Sequence, residues 1–355
     1  MQLESELKVK DSGVAGTKTQ AEVKMGPKRA SIITAFAALY LIWGSTYLFI
    51  RLAIDSIPPF LMAGSRYLTA GVLMYAIARA QAAKRPALVT WRSSLVIGGF
   101  LLLGGNGGVT VSEKYIDTGL AAVIVATVPI YIVLLSWASG SAPRPSVPVL
   151  IGLAGGFLGV GILMAPSLHF STNETRHPGI GMLILLVASL LWSIGSLYSR
   201  GAKNADSPFL AAGQQMICGG LLLLLAGFIT REQFHPDSVT AYSIWAWVYL
   251  VLIGAIIGFS AYIYLLRHCD PAKVATYAYV NPVVAVILGA LFAGEHLTSP
   301  TIAAAALIIG SVALVITTQQ LRPKSVPPVS AALAEADELG FSHPERSRGS
   351  PMRNL

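Results

Sequence analysis

Ten apolar runs of about 20 residues succeed one another along this chain, near 30–53, 59–78, 94–112, 118–138, 147–165, 178–199, 208–229, 243–265, 271–293 and 300–318. A run of that length is what a helix needs to cross the ~30 Å hydrocarbon layer of a bilayer. The charge content leaves little else. Only 12% of the 355 residues are charged and 54% are hydrophobic, whereas a soluble domain carries roughly 25% charged residues to cover its surface. A water-soluble enzyme is excluded, and so is a disordered chain, which lacks apolar residues. The expected fold class is an all-α polytopic membrane protein with ten transmembrane helices.

The connections are short, and several are punctuated by proline, as at Ile57-Pro58-Pro59, Ser207-Pro208 and Ser299-Pro300, which start helices rather than continue them. Residues 1–29 are polar, mixed in charge and without an apolar core, so they read as a tail and not as a cleavable signal; the first span itself serves for insertion. Residues 319–355 are rich in Pro, Ser, Ala and Arg and read as a disordered tail. Cys218 and Cys269 have neither metal spacing nor a disulfide framework around them, and no metal site or cofactor is expected.

A formal charge of +8 invites a nucleic-acid reading, which the positions of the basic residues remove. Across ten spans, 20 of the 25 Lys and Arg fall on the side that holds both tails, four fall on the other (Arg51, Lys114, Arg176, Arg231), and Arg66 alone lies within a span. Basic loops stay on the cytoplasmic side, so both termini are expected in the cytoplasm of a multi-pass protein of the cell inner (plasma) membrane. No nucleic-acid partner is needed; the partners expected are the lipid bilayer and a small-molecule substrate.

The chain also repeats itself. Residues 59–64, Pro-Phe-Leu-Met-Ala-Gly, recur at 208–213 as Pro-Phe-Leu-Ala-Ala-Gly, and the same offset of 149 pairs Trp43 with Trp192, Arg51 with Arg200 and Gly71 with Gly220. An offset of 153 pairs Asp117, Ala122, Pro129 and Val133 with Asp270, Ala275, Pro282 and Val286. Two units follow, 30–165 and 178–318, each of five helices. Five is odd, so the second unit enters the membrane from the opposite side, giving an inverted repeat. Two such halves can rock about a midplane site and expose it to each side in turn.

The runs Leu41-Ile42-Trp43-Gly44-Ser45-Thr46-Tyr47, Pro58-Pro59-Phe60 through Arg66, Gly105-Asn106-Gly107, Val125-Ala126-Thr127-Val128-Pro129 and Ala275 through Val286, with Gly294-Glu295 closing the last helix pair, resemble the drug/metabolite transporter superfamily and within it the EamA family. The resemblance spans about residues 30–318 and is similar in kind to the bacterial inner-membrane exporters of that family. It implies a ten-helix fold with a central cavity and efflux of small metabolites, such as amino acids, or of drugs. It says nothing of the two tails or of the particular substrate.

Candidate substrate-binding residues follow from polar or aromatic groups at depth. Arg66 lies inside the second span, where an ionised group costs at least ~2.5 kcal/mol on insertion scales; either it borders the cavity and attracts a carboxylate, or it snorkels to the outer interface or pairs with a helix end. Its repeat mate is Gln215, adjacent to Gln214, and the two point about 100° apart, so one faces the cavity and the other a neighbouring helix. Trp43 and Trp192 are either matched aromatic walls or packing residues. Tyr47, Asn106, Tyr277 and Asn281 are cavity donors in this reading, facing inward because an amide in lipid is unsatisfied. Pro129 and Pro282 free backbone carbonyls at matched places and either mark the binding region or shape the bundle. Glu113 and Glu295, at span ends, are expected at the interface. Gly152, Gly155, Gly156 and Gly159 form a ridge for helix packing or a homodimer. Asn173-Glu174-Thr175 matches a glycosylation acceptor by a pattern too short to carry weight. No catalytic motif of the common enzyme classes occurs. A secondary transporter is therefore expected; a non-transporting membrane receptor or scaffold is the competing reading.

Overall fold

Helices are the only regular structure among the described residues, which in this computed structural model are 29–81, 83–164, 177–269, 274, 277–294 and 298–320. Both tails, Asn173 and Glu295 lie outside them. We number the helices in chain order: α1 Arg29–Ala53, α2 Pro59–Ala80, α3 Leu88–Ser112, α4 Thr118–Ala138, α5 Val147–Met164, α6 Pro178–Gly201, α7 Pro208–Ile229, α8 from Ala241 to His268, α9 Tyr277–Phe292 and α10 Ser299–Gln320. Proline opens α2, α6 and α7 in the first turn, where its missing N–H would have no intrahelical partner anyway. Thr240 caps α8 by accepting from the Ser243 N–H.

Seven of these helices are long and apolar enough to cross a membrane; the fifth, ninth and tenth runs hold shorter apolar helices, Val147–Ile162, Val280–Phe292 and Ser299–Val315. Large apolar side chains such as Phe228, Trp245, Leu291 and Phe292 stand on the outside of the bundle. A soluble protein does not expose such a surface, and lipid accepts it. The chain is an all-helical polytopic membrane protein.

Packing follows a regular plan. α2 lies along α7 and α5 along α10, while α1 packs on α8 and α9 as α6 packs on α3 and α4. The α2–α7 crossing is built on four glycines. A methyl group at Gly71 would stand 2.7 Å from Ile217 N, and one at Gly213 would stand 2.8 Å from Tyr75 N. One at Gly64 would meet Leu224 N at 2.8 Å, and one at Gly220 would meet Leu68 N at 2.6 Å. The obstacles are backbone atoms, which cannot turn aside as a side chain can. Gly220→Leu is accordingly expected to lower stability by roughly 3 kcal/mol, the upper range for overpacking, read as a lower thermal unfolding midpoint of the purified protein. The ridge of α5 is likewise used within the chain: Gly152, Gly155 and Gly159 meet α10, and Gly156 meets Ile130 of α4.

Two helices depart from regular α geometry at corresponding places. α3 contains a π-helical stretch, Gly99–Gly107, and α8 contains another, Leu250–Ile257. Such stretches are rare and gather at functional sites. α4 is interrupted at Ala126–Thr127, just before Pro129, where Thr127 bonds back to the Ile124 carbonyl at 2.6 Å. Pro282 instead sits inside an unbroken α9.

Candidate functional site

Trp43 stands about midway along α1, half-buried, at the centre of an aromatic group. Its ring centroid lies 5.0 Å from Tyr277 in an edge-on contact, 5.2 Å from Tyr262 and 6.1 Å from Phe259. These separations suit the attraction between ring edges and faces. Three helices supply the group: α1, α8 and α9. Tyr47, one turn further along α1, is half-buried and packs on the apolar cluster of α4, α5, α6 and α10. A second, polar group is supplied by α2 and α3.

That second group centres on Arg66, which is 3% exposed. Its Nη2 donates to the Tyr67 hydroxyl at 2.9 Å and to Asn106 Oδ1 at 3.3 Å, and the guanidinium carbon sits 4.4 Å from the Tyr67 ring centre. Its Nε has no hydrogen-bond partner. Arg66 is thus drawn into protein, and the snorkelling alternative is not what the structure adopts. Asn106 is within the π-helical stretch of α3, its amide donating to the Leu101 carbonyl five residues back at 3.5 Å.

Glu113 departs from its expected interfacial place. It ends α3 with 0% exposure, and Arg51 donates to its backbone carbonyl at 2.5 Å. Position at a span end sets depth along the helix but not how deeply neighbouring helices cover it, and here they cover it completely.

Trp192 is half-buried on α6 and makes no ring contact among the described residues; it packs against α3, where a methyl group at Gly105 would stand 2.7 Å from its Cε3. Its repeat mate behaves alike, since a methyl group at Gly258 of α8 would stand 2.6 Å from Trp43 Nε1. Gly105 and Gly258 are themselves 153 residues apart, the same offset that pairs the fourth and ninth spans. Each tryptophan therefore rests on the glycine of the opposite half.

Gln215 does not join this constellation: its amide donates to Asn204 Oδ1 in the α6–α7 connection at 3.3 Å. Gln214 is the buried member of the pair, donating to Thr90 Oγ1 at 3.2 Å and leaving its Oε1 without a partner. Asn281 is buried beside the aromatic group, one turn from Tyr277, and its Oδ1 has no partner. Pro129 and Pro282 each follow a carbonyl that faces the other half's first helix: Ser193 of α6 bonds to the Val128 carbonyl at 3.3 Å, and a methyl group at Gly44 of α1 would lie 3.3 Å from that of Asn281.

Sequence reasoning missed Tyr67, Phe259, Tyr262 and the burial of Glu113. Phe259 carried a signal, since it is the repeat mate of Asn106 at the offset of 153. Such residues offer two kinds of contact: ring faces and edges for an aromatic or apolar part of a molecule, and the open donor of a buried guanidinium for an anionic group.

Comparison with known proteins gives the family and the fold. The profile of the EamA-like transporter family matches the chain twice, at residues 30–165 and 179–317. The chain is 38% identical over 307 residues to the uncharacterized inner membrane transporter YedA of Escherichia coli (strain K12), covering 85% of this chain and 95% of YedA. It is 29% identical to the uncharacterized transporter YvbV of Bacillus subtilis (strain 168), over 83% of this chain and 94% of that one. A protein of known crystal structure shares the fold with a TM-score of 0.55 at 20% identity, over 82% of this chain and 99% of that one.

Proposed function

The chain belongs to the EamA-like transporter family, and from that membership we propose that it is a secondary transporter of the inner membrane. It exports or exchanges small metabolites, amino acids and related compounds or drugs, by alternating access around a central site. Trp43, Tyr47, Arg66, Asn106, Trp192, Tyr277 and Asn281 form that site, with Gln215 at the entrance on the α6–α7 side. The protein works as two inverted five-helix repeats with both termini in the cytoplasm, as the Lys and Arg distribution supports. It needs no cofactor and carries out no enzymatic reaction.

One observation carries the mechanism. Trp43 sits on Gly258 and Trp192 on Gly105, so equivalent side chains of the two halves make the same contact across the same seam. The larger contacts between the halves also map onto one another when α1–α5 are exchanged with α6–α10: α1–α8 onto α3–α6, α1–α9 onto α4–α6 and α2–α8 onto α3–α7. A seam of that kind lets one half tilt on the other with similar contacts in both positions, which is what alternating access requires. The family's transport role and this exchange symmetry are the support for the reading; neither names the substrate.

The test is an untargeted comparison of metabolites in the growth medium with and without overexpression. A defined set of small metabolites is expected to rise several-fold with the protein. An unchanged medium, together with purified protein that leaves solute gradients undisturbed in liposomes, sinks the transport reading and favours a receptor or scaffold.

A further inference from the structure

We propose that Glu232 is the residue that holds one mouth of the transport path shut, by latching the second half of the protein onto the first turn of α2. The proposal rests on the alternating-access reading above. The first N–H groups of a helix have no intrahelical partner and need an acceptor. Pro58, ahead of α2, provides no side-chain cap. The acceptor comes instead from 171 residues away: Glu232 takes the Phe60 N–H at 3.1 Å and the Leu61 N–H at 2.9 Å, one on each carboxylate oxygen. An anion here also meets the positive end of the helix dipole.

The chain is bent to make this contact. Arg231 has φ +57°, the only non-glycine residue in the left-handed region among the described residues, and that conformation is uncommon for a residue with a Cβ. It turns the chain at the end of α7 so that Glu232 points back at α2. Around the latch, further bonds cross between the same two segments. Tyr242 donates to Asp55, the Thr240 N–H to Ser56 Oγ at 3.1 Å, and Ser243 Oγ to the Leu52 carbonyl at 2.8 Å. A polar crevice of about 410 Å3, lined by Asp55, Ser56, Lys114, Glu232 and Gln233, lies along this junction.

The opposite mouth has no such device in its sequence. At the offset of 149 that relates α2 to α7, Glu232 corresponds to Ala83, Ser56 to Ala205 and Asp55 to Asn204. Asn204 bonds within its own half, to the Ser199 and Ala202 carbonyls and to Gln215. The two halves share a fold but not a latch: one mouth is held shut by a carboxylate, and the other, among the described residues, by packing and the Gln214–Thr90 bond described above. Glu232 is a positioning residue, acting on access and not on the substrate.

The test uses the full-length protein in detergent, with Cys218→Ala and Cys269→Ser to clear the background. Two single-cysteine reporters read the two mouths. Ser65→Cys lies behind the latch, where Ser65 now accepts from Trp247 Nε1, and Ser94→Cys lies near the opposite seam, one turn from Thr90 on α3, at a buried hydroxyl that makes no hydrogen bond. Maleimide labelling is followed with Glu232 intact, as Glu232→Gln and as Glu232→Asp. Glu232→Gln replaces one of two charge-assisted acceptors by a donor and is expected to speed labelling at position 65 about tenfold, without speeding it at position 94; Glu232→Asp restores most of the protection. Tyr242→Phe, which keeps the ring and removes one crossing bond, opens the same mouth more weakly and serves if Glu232→Gln fails to fold. Equal acceleration at both reporters means general loosening and overturns the proposal, as does no change at either. The alternating-access reading is probed separately by oxidising Ser56→Cys with Thr240→Cys, whose native oxygens are 3.3 Å apart. If metabolite release persists in the cross-linked protein, that reading fails whatever the labelling shows.

Discussion

Replacing Trp43 and Trp192 together by alanine is expected to reduce metabolite release about 100-fold with the amount of protein in the membrane unchanged. Trp43 makes three ring contacts and Trp192 covers the π-helical stretch of α3. Aromatic pairs contribute about 0.5–1.5 kcal/mol each beyond simple burial, and the loss of two or three such contacts from the site is worth roughly two powers of ten. The singles differ in an informative way. Trp43→Ala opens the ring group of α1, α8 and α9 and produces most of the loss. Trp192→Ala removes a lid from Gly105 and so loosens the backbone that presents Asn106, giving a smaller loss. Trp43→Phe retains edge and face contacts and keeps most of the activity. Normal release by the double alanine variant at normal expression removes both tryptophans from the site.

How much of this was legible in the sequence depends on which interactions decide each feature. Helix positions were, because apolar run length and proline punctuation act locally. The α2–α7 crossing was not: Gly71 and Gly220 stood out as repeat mates, but which helix each glycine meets is set by packing between the halves. Which of Gln214 and Gln215 is buried was not legible. The pair differ by one residue on one helix, and only the packing of α3 against α7 selects Gln214. The π-helical stretches were equally hidden, because inserting a residue into an α-helix leaves composition and hydropathy unaltered. Glu113 shows the limit most directly: a span end implied water, but the neighbours of α3 enclose it. Glu232 lay in a connection with no motif, and its role emerges only when a helix start 171 residues distant is found without a cap.

Arg66→Gln is expected to cut release of carboxylate-bearing metabolites by at least ~30-fold while leaving the protein as stable as before. The two parts of that expectation have one cause. A buried guanidinium loses its hydration, and its hydrogen-bond partners here, Tyr67 and Asn106, are neutral, with Nε left open. An ionised group so placed gives weak or no net stabilisation, so a neutral amide that bonds to Tyr67 or Asn106 folds equally well and can raise the thermal midpoint. For an arriving carboxylate the balance is reversed. It finds a desolvated cation with a free donor, and removing one partner of a buried charge pair costs about 2–5 kcal/mol. Even the lower figure lowers release of anionic substrates roughly 30-fold. Arg66→Lys keeps the charge but not the planar fork and is expected to fall between the two. Comparing the medium of cells expressing each variant decides the matter: if Arg66→Gln releases the same carboxylates at the same rate, the guanidinium is a structural group. If instead its release shifts toward uncharged compounds, the residue selects substrates by charge.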